Sequence, residues 1–191
     1  MKRNLTFREN TAAIGMLAAF GVILMYLEVP LPFMPPFMKL DLSDVPAVVG
    51  FFFLGFPSAI VIAAVKNILH LLVSSSLGIG EICNFLVAIA FLSAWHGGRR
   101  FSERGAACAA VLSMTALAAL LNVWVLLPLY QAAFHITEAQ LLALTRAAGT
   151  PAFTIAQYIL FVVIPFNLIK GSLIAAVALL LKKRIAPYFD K

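Results

Sequence analysis

The sequence predicts an all-α, polytopic membrane protein with six transmembrane helices, folded as a single membrane-embedded domain over residues 1–191. Three observations carry this. Of the 191 residues, 63% are hydrophobic and only 12% are charged, and the mean hydropathy is +1.01, so too few polar side chains exist to build a water-facing shell. The apolar residues form continuous runs rather than alternating with polar ones, which favours helices over barrel strands. The cations gather at the ends of those runs, as Lys2, Arg3 and Arg8, then Arg99, Arg100 and Arg104, then Lys182, Lys183 and Arg184. That is the pattern of cytoplasmic flanks on membrane helices, so the net charge of +6 does not describe a nucleic-acid groove.

The first helix runs from about Thr11 to Leu27. Its charged start and apolar body faintly resemble a signal peptide. The run ends at Glu28-Val29-Pro30 rather than at a small-residue cleavage site, so it reads as a retained helix. A proline-rich loop (Pro30, Pro32, Pro35, Pro36) then leads into the polar stretch Lys39–Pro46. A short second helix covers about Val45 to Gly55 and stops at Gly55-Phe56-Pro57, where glycine and proline punctuate the chain. The third helix covers about Ser58 to Val73, a turn follows over Ser74–Gly80, and the fourth spans about Glu81 to Trp95. After the basic loop His96–Arg104 the fifth runs from about Gly105 to Tyr130. The polar connector Gln131–Gly149 holds one short surface helix, capped by Thr137 and carrying its leucines on one side. The sixth helix spans about Pro151 to Leu181. At 1.5 Å per residue its ~30 residues exceed a straight crossing. Pro165 cannot donate to the Phe161 carbonyl and marks a kink. The chain shows no internal repeat of the kind that builds inverted-repeat carriers.

With both termini cytoplasmic, ten cations lie inside (the nine above and Lys191) and only Lys39 and Arg146 lie outside. The bias fixes this orientation in the cell membrane. The Lys39–Pro46 stretch, the Ser74–Gly80 turn and the Gln131–Gly149 connector then share the outer face.

Polar side chains within the apolar runs are costly, which makes each a functional candidate. They are Lys66, Asn67 and His70, then Glu81 and Asn84, then Asn122, then Asn167 and Lys170. The plain alternative is helix–helix adhesion, with Lys66 or Lys170 paired to Glu81. Asn167 and Lys170 point beyond adhesion, because they share a helix face beside Pro165, whose missing donor frees a backbone carbonyl. An amide matches an imide edge, a lysine donates to carbonyl or hydroxyl oxygens, and Phe33, Phe37, Trp124, Tyr130 or Tyr158 can cover a flat ring. Such a set suits a neutral, planar, hydrogen-bonding solute. Cys83 and Cys108 lack any metal-binding spacing and read as small buried hydrophobes, so no metal site is expected. Thr11, Gly15 and Ala19, spaced by four, form a small-residue stripe that lets another helix approach closely. No GxxxxGK[ST] loop is present, so any ATP-driven work requires partner subunits.

Several of these pieces together carry a family resemblance. They are the proline-rich loop into Lys-Leu-Asp-Leu-Ser-Asp-Val-Pro-Ala (Lys39–Ala47), Lys-Asn-Ile-Leu-His (Lys66–His70), and Gly-Ile-Gly-Glu-Ile-Cys-Asn-Phe-Leu (Gly78–Leu86). Leu-Asn…Leu-Pro-Leu-Tyr (Leu121–Tyr130) and Pro-Phe-Asn-Leu-Ile-Lys-Gly (Pro165–Gly171) follow in order. The chain resembles the substrate-binding (S) component of an energy-coupling factor (ECF) vitamin transporter, of the riboflavin-specific type. The resemblance implies six helices, with riboflavin held near the outer face under the loop between helices one and two. It implies flavin hydrogen bonds from Asn122, Asn167 and Lys170, with Asn84 and the Lys39–Asp44 loop, including Leu40, as neighbours. It further implies a helix-one face, here Thr11, Gly15 and Ala19 where the family usually has Ala-xxx-Ala, docking onto a membrane coupling subunit bound to two ATPases. No cofactor is implied, since riboflavin is the transported substrate.

Other readings are the same architecture serving FMN or another vitamin, a membrane-embedded enzyme built on Glu81, His70 and Ser74–Ser76, and an autonomous channel or carrier. A phosphate would favour more outer-face cations than Lys39 and Arg146. No HExxH, GxSxG or paired-carboxylate motif supports an enzyme, and no repeat or charge ring supports a channel.

Overall fold

The computed structural model describes residues 7–35, 38–74 and 76–189. Its elements are α1 (Phe7–Tyr26), β1 (Val29–Pro30), β2 (Lys39–Leu40), α2 (Val45–Phe53), α3 (Phe56–Leu71), α4 (Ile79–Gly98) and α5 (Glu103–Leu121). Then come α6 (Leu127–Phe134), α7 (Glu138–Ala147), α8 (Ile155–Tyr158) and α9 (Ile164–Phe189). The strands are a two-residue antiparallel clip, with Val29 opposite Leu40 and Pro30 opposite Lys39. Everything else regular among the described residues is helical. Lys2, Arg3, Phe37 and Lys191 lie outside the described residues.

Three stretches among the described residues are long and apolar enough to cross a bilayer, Ile79–Gly98, Glu103–Phe134 and Ile155–Pro187. The apolar parts of α1 and α3 are shorter. The nine residues of α2 extend only about 14 Å at 1.5 Å per residue, roughly half of a ~30 Å core. This helix is instead the hub of the fold, buried continuously from Val45 to Phe51 between α1, α3 and α9. Gly50 makes its contact with α3 possible, because a Cβ there would sit 2.3 Å from Ile62 Cδ1. Gly55, at φ +94°, supplies the sharp reversal into α3 that a residue with a Cβ resists.

Helix α1 packs on α3 and α2 through buried Ala18 and Gly21. A Cβ on Gly21 would lie 3.0 Å from Lys66 Cδ and 3.2 Å from the Ser43 carbonyl. Its close-approach face is therefore a different one from Thr11, Gly15 and Ala19, which are all exposed.

The structure corrects several expectations. The last helical rod starts at Ile155 rather than Pro151, because Thr154 caps it by accepting from Gln157 N. The Pro165 disturbance is a widened turn, not a simple kink. Ile164 N–H donates to the Ile159 carbonyl, five residues back. The same device occurs at Pro128, where Leu127 N–H donates to the Asn122 carbonyl. Each proline lacks the donor and crowds the carbonyl four residues earlier, and one wide turn just upstream absorbs both defects. Cys83 is buried as expected, but Cys108 is exposed on the outward face of α5.

Candidate functional site

The two wide turns flank a cavity between α4, α5 and α9. It measures about 460 Å³, within the roughly 300–1,000 Å³ of sites that hold drug-sized molecules. Asn84 reaches it from α4, Asn122 from the wide turn after α5, and Asn167 and Lys170 from α9. Tyr130 and Tyr158 bring aromatic rings, Met38 and Lys39 form part of the rim, and Met114, Leu121 and Phe166 add apolar wall. The structure thus brings Lys39, Asn84, Asn122, Asn167 and Lys170 around one space. Leu40 and Asp44 are not part of its lining.

The asparagines are fixed by their own helices. Asn122 Nδ2 donates to the Ala118 carbonyl at 2.9 Å, and Asn167 Nδ2 donates to the Val163 carbonyl at 2.8 Å. Both are i to i−4 contacts that lock the side chain against the turn below. Asn122 Oδ1 accepts from the Tyr158 hydroxyl at 3.4 Å, and Asn167 lines the cavity beside it. Asn84 Nδ2 donates to Asn67 Oδ1 at 3.1 Å, and Asn67 in turn donates to the Ala63 carbonyl at 2.8 Å. Amides held this way lose little freedom when a ligand arrives.

The polar stretch Lys39–Pro46 is a knot of buried ion pairs under the rim. Lys170 Nζ donates to Asp41 Oδ2 at 2.7 Å. Lys66, fully buried, donates to Asp44 Oδ1 at 2.5 Å and to Ser43 Oγ at 2.9 Å. Asp41 Oδ1 accepts from Ser43 N at 2.9 Å and from the Ser43 hydroxyl. Burial alone would raise the Asp41 carboxyl. The field of Lys170, then that of Lys66, with hydrogen bonds from Lys170 and Ser43, more than reverses this and holds it well below the usual carboxylate range. The pairs tie the loop before α2 to α9 and α3 at once. Asp44 therefore acts on the loop's anchorage rather than on the cavity wall.

The pairing of Lys66 or Lys170 with Glu81, the plain alternative above, does not occur. Glu81 instead meets His70 Nδ1 at 2.8 Å and accepts from the hydroxyls of Ser74 and Ser76 at 2.8 and 2.9 Å. The enzyme alternative fails on the same geometry, because both serines donate to the carboxylate and neither reaches the imidazole that would activate it. This cluster pins the α3–α4 turn, and Ser76 and Gly80 carry the turn to the cavity.

Helix α7 is not the free surface helix expected. Its start is right, a capping box of Thr137 with Gln140, but Leu141 and Leu144 line the cavity. The segment after it is stitched to the proline-rich loop, where the Thr150 hydroxyl donates to the Phe33 carbonyl. Of the aromatics proposed to cover a ring, Tyr130 and Tyr158 do line the space. Trp124 and Phe33 are exposed, and Phe37 lies outside the described residues. Met38, Met114 and the ion-pair partner Asp41 were not singled out as individual positions by the sequence, and Ser76 entered only with the serines of the enzyme alternative. A Met or a Ser carries no periodic signal, and the pairing of Asp41 with Lys170 spans 129 residues.

Comparison with known proteins gives a consistent result. The sequence pattern of the family described as "ECF transporter, substrate-specific component" matches residues 10–182. The chain is 32% identical to the riboflavin transporter RibU of Staphylococcus aureus, over 100% of this chain and 97% of that one. It is 28% identical to the riboflavin transporter FmnP of Bacillus subtilis, over 96% and 95%. A solved structure of the S component of a bacterial ECF transporter superimposes with a TM-score of 0.76 at 30% identity, covering 97% of this chain and all of that one. With the family pattern spanning nearly the whole chain, this multi-pass membrane protein belongs to the substrate-specific components of ECF transporters, a transport family and not an enzyme family.

Proposed function

We propose that the protein captures riboflavin at the outer face of the cell membrane and hands it inward as part of an ATP-driven importer. The observation that carries this is the cavity itself. Fixed amides at Asn84, Asn122 and Asn167, the ammonium of Lys170 and the rings of Tyr130 and Tyr158 surround a space of about 460 Å³. A flavin has a flat ring system for the tyrosines, an imide edge for an amide, and carbonyl and hydroxyl oxygens for lysine and asparagine. The names of the relatives similar over their full length point the same way. FMN fits less well, because the nearby cations are already engaged. Lys39 pairs with Glu28, Lys170 with Asp41, and Arg146 with the Ala152 carbonyl. Riboflavin is cargo here rather than a cofactor.

The same reading takes the chain as one membrane domain with its six helical rods in the bilayer and both termini cytoplasmic, following the charge bias. The exposed stripe of Thr11, Gly15 and Ala19 serves as the face for a membrane coupling subunit, which carries two ATPase subunits. The test is direct. The purified protein should carry the yellow flavin absorption and quench riboflavin fluorescence on titration. A preparation that binds no riboflavin but saturates with another vitamin would overturn the assignment of substrate.

A further inference from the structure

At the end of the molecule opposite the cavity, the C-terminus of α4, the loop after it and the last turns of α9 enclose an open basic pocket. His96, Arg99, Arg100, Glu103 and Lys182 line it. Its one carboxylate is fully used. Glu103 Oε1 accepts from Trp95 Nε1 at 3.0 Å, and Oε2 pairs with Lys182 Nζ at 2.6 Å. Arg100 has no ion-pair partner among the described residues, Arg99 acts on Glu103 only through its charge, and each guanidinium lies over an aromatic ring, 4.9 Å from Phe51 and 4.9 Å from Phe101. Helix-dipole stabilisation accounts for one cation at the end of α4, but not for a ring of them around a pocket.

Phe101 makes the surroundings specific. It is 81% exposed, with Leu180 also 63% exposed just below Lys182. An exposed aromatic under a guanidinium, at the end of lipid-facing helices, is the arrangement of a membrane interface. A water-soluble anion has no use for that apolar neighbourhood, whereas a phospholipid places its phosphate among the cations and its acyl chains along α9. We propose that this pocket binds the phosphate of an anionic phospholipid headgroup. The proposal rests on the chain being a membrane protein. The inner-leaflet location follows from the proposed orientation, but the binding does not depend on riboflavin.

The test uses the full chain in phosphatidylcholine nanodiscs doped with phosphatidylglycerol, with retained lipid read by native mass spectrometry. The wild type should retain phosphatidylglycerol over phosphatidylcholine. Arg100→Gln should weaken that retention about fivefold, from the usual contribution of one cation near an anionic surface, and Arg99→Gln/Arg100→Gln should weaken it further. Arg146→Gln, which removes the same charge at the other end, should leave it unchanged. Riboflavin titration of each variant reports folding independently of lipid. Equal retention of both lipids, or equal losses in Arg100→Gln and Arg146→Gln, would overturn the site. Complete displacement by millimolar inorganic phosphate would assign it to free phosphate instead. Loss of retention only when the coupling subunits are present would assign the surface to an acidic protein partner.

Discussion

Removing the Lys170 ammonium should cost riboflavin affinity mainly by releasing the loop before α2. Lys170 is 6% exposed, and its Nζ lies 2.7 Å from Asp41 Oδ2. Breaking such a pair by deleting one partner costs about 3–5 kcal/mol, because the other charge is left buried. The loop can escape that cost by carrying Asp41 to water, so the loss falls on the closed site rather than on the whole fold. At 1.4 kcal/mol per decade, 3 kcal/mol is about 10²-fold in Kd. Lys170→Met should therefore raise the riboflavin Kd by about that factor. Asp41→Asn should do nearly the same, although asparagine can still accept from Ser43 N and keep the local turn. The double variant should recover part of the loss, with a coupling of about 1–3 kcal/mol between residues in direct contact. Fluorescence-quenching titrations of the four proteins measure all of this. Wild-type affinity in Asp41→Asn beside a large loss in Lys170→Met would refute the loop argument and leave Lys170 as a ligand contact alone. The same pair sets a pH expectation. The folded carboxyl is held below its usual value, so its contribution is complete above the unfolded pKa of about 3.9 and is lost only as pH falls through the lower folded value. The affinity difference between wild type and Asp41→Asn should thus stay flat from about pH 8 to about pH 5, and a midpoint inside that window would contradict the assigned pairing.

Asn167→Ala should raise the riboflavin Kd by roughly 5–150-fold, the equivalent of about 1–3 kcal/mol for a lost buried polar partner; an unchanged value removes this side chain from the site. Thr150→Val deletes the hydroxyl that holds the Phe33 carbonyl and should accelerate riboflavin release in stopped-flow measurements more than it slows capture. Equal effects on both rates would argue against the proline-rich loop serving as a lid over the cavity. A Cβ on Gly15 would meet nothing within 4 Å and the position is exposed, so in Gly15→Leu riboflavin binding by the isolated subunit should be preserved while ATP-driven uptake by the full complex is lost. Normal uptake in that variant, or riboflavin accumulation without any ATPase, would remove helix α1 as the docking face.

The helices were legible because their signals are local. Apolar runs, the Gly55-Phe56-Pro57 break, the Thr137 cap and the basic ends each act within a few residues, and the observed helices begin and end within about four residues of the expected ones, except that the last runs on to Phe189 rather than Leu181. Asn84, Asn122, Asn167 and Lys170 stood out for a similarly simple reason, since polar groups in lipid-facing sequence are expensive. What stayed hidden was partner choice. Glu81 was the acid within the apolar runs that the adhesion alternative paired with a lysine, yet the lysines found Asp41 and Asp44. Those carboxylates belong to a stretch that reads as an exposed loop and becomes buried only when α2 sinks into the centre. A nine-residue helix gives no warning of that, because its hydrophobicity is uniform and its burial depends on the helices packed around it.

That sinking also explains why a charged stretch of the chain sits beside the cavity. A loop that enters the membrane edge must bring its charges with partners already in place, or desolvation would hold it outside. Lys66 and Lys170 supply those partners from two helices that are distant in sequence, and Lys170 faces the cavity as well. A ligand that draws on Lys170 therefore acts on the same contact that holds the loop. If ligand oxygens add to the Asp41 contact, binding tightens the lid. If they replace it, binding opens the lid. The double-variant cycle measured with and without riboflavin separates the two, because the coupling between Asp41 and Lys170 grows on binding in the first case and shrinks in the second.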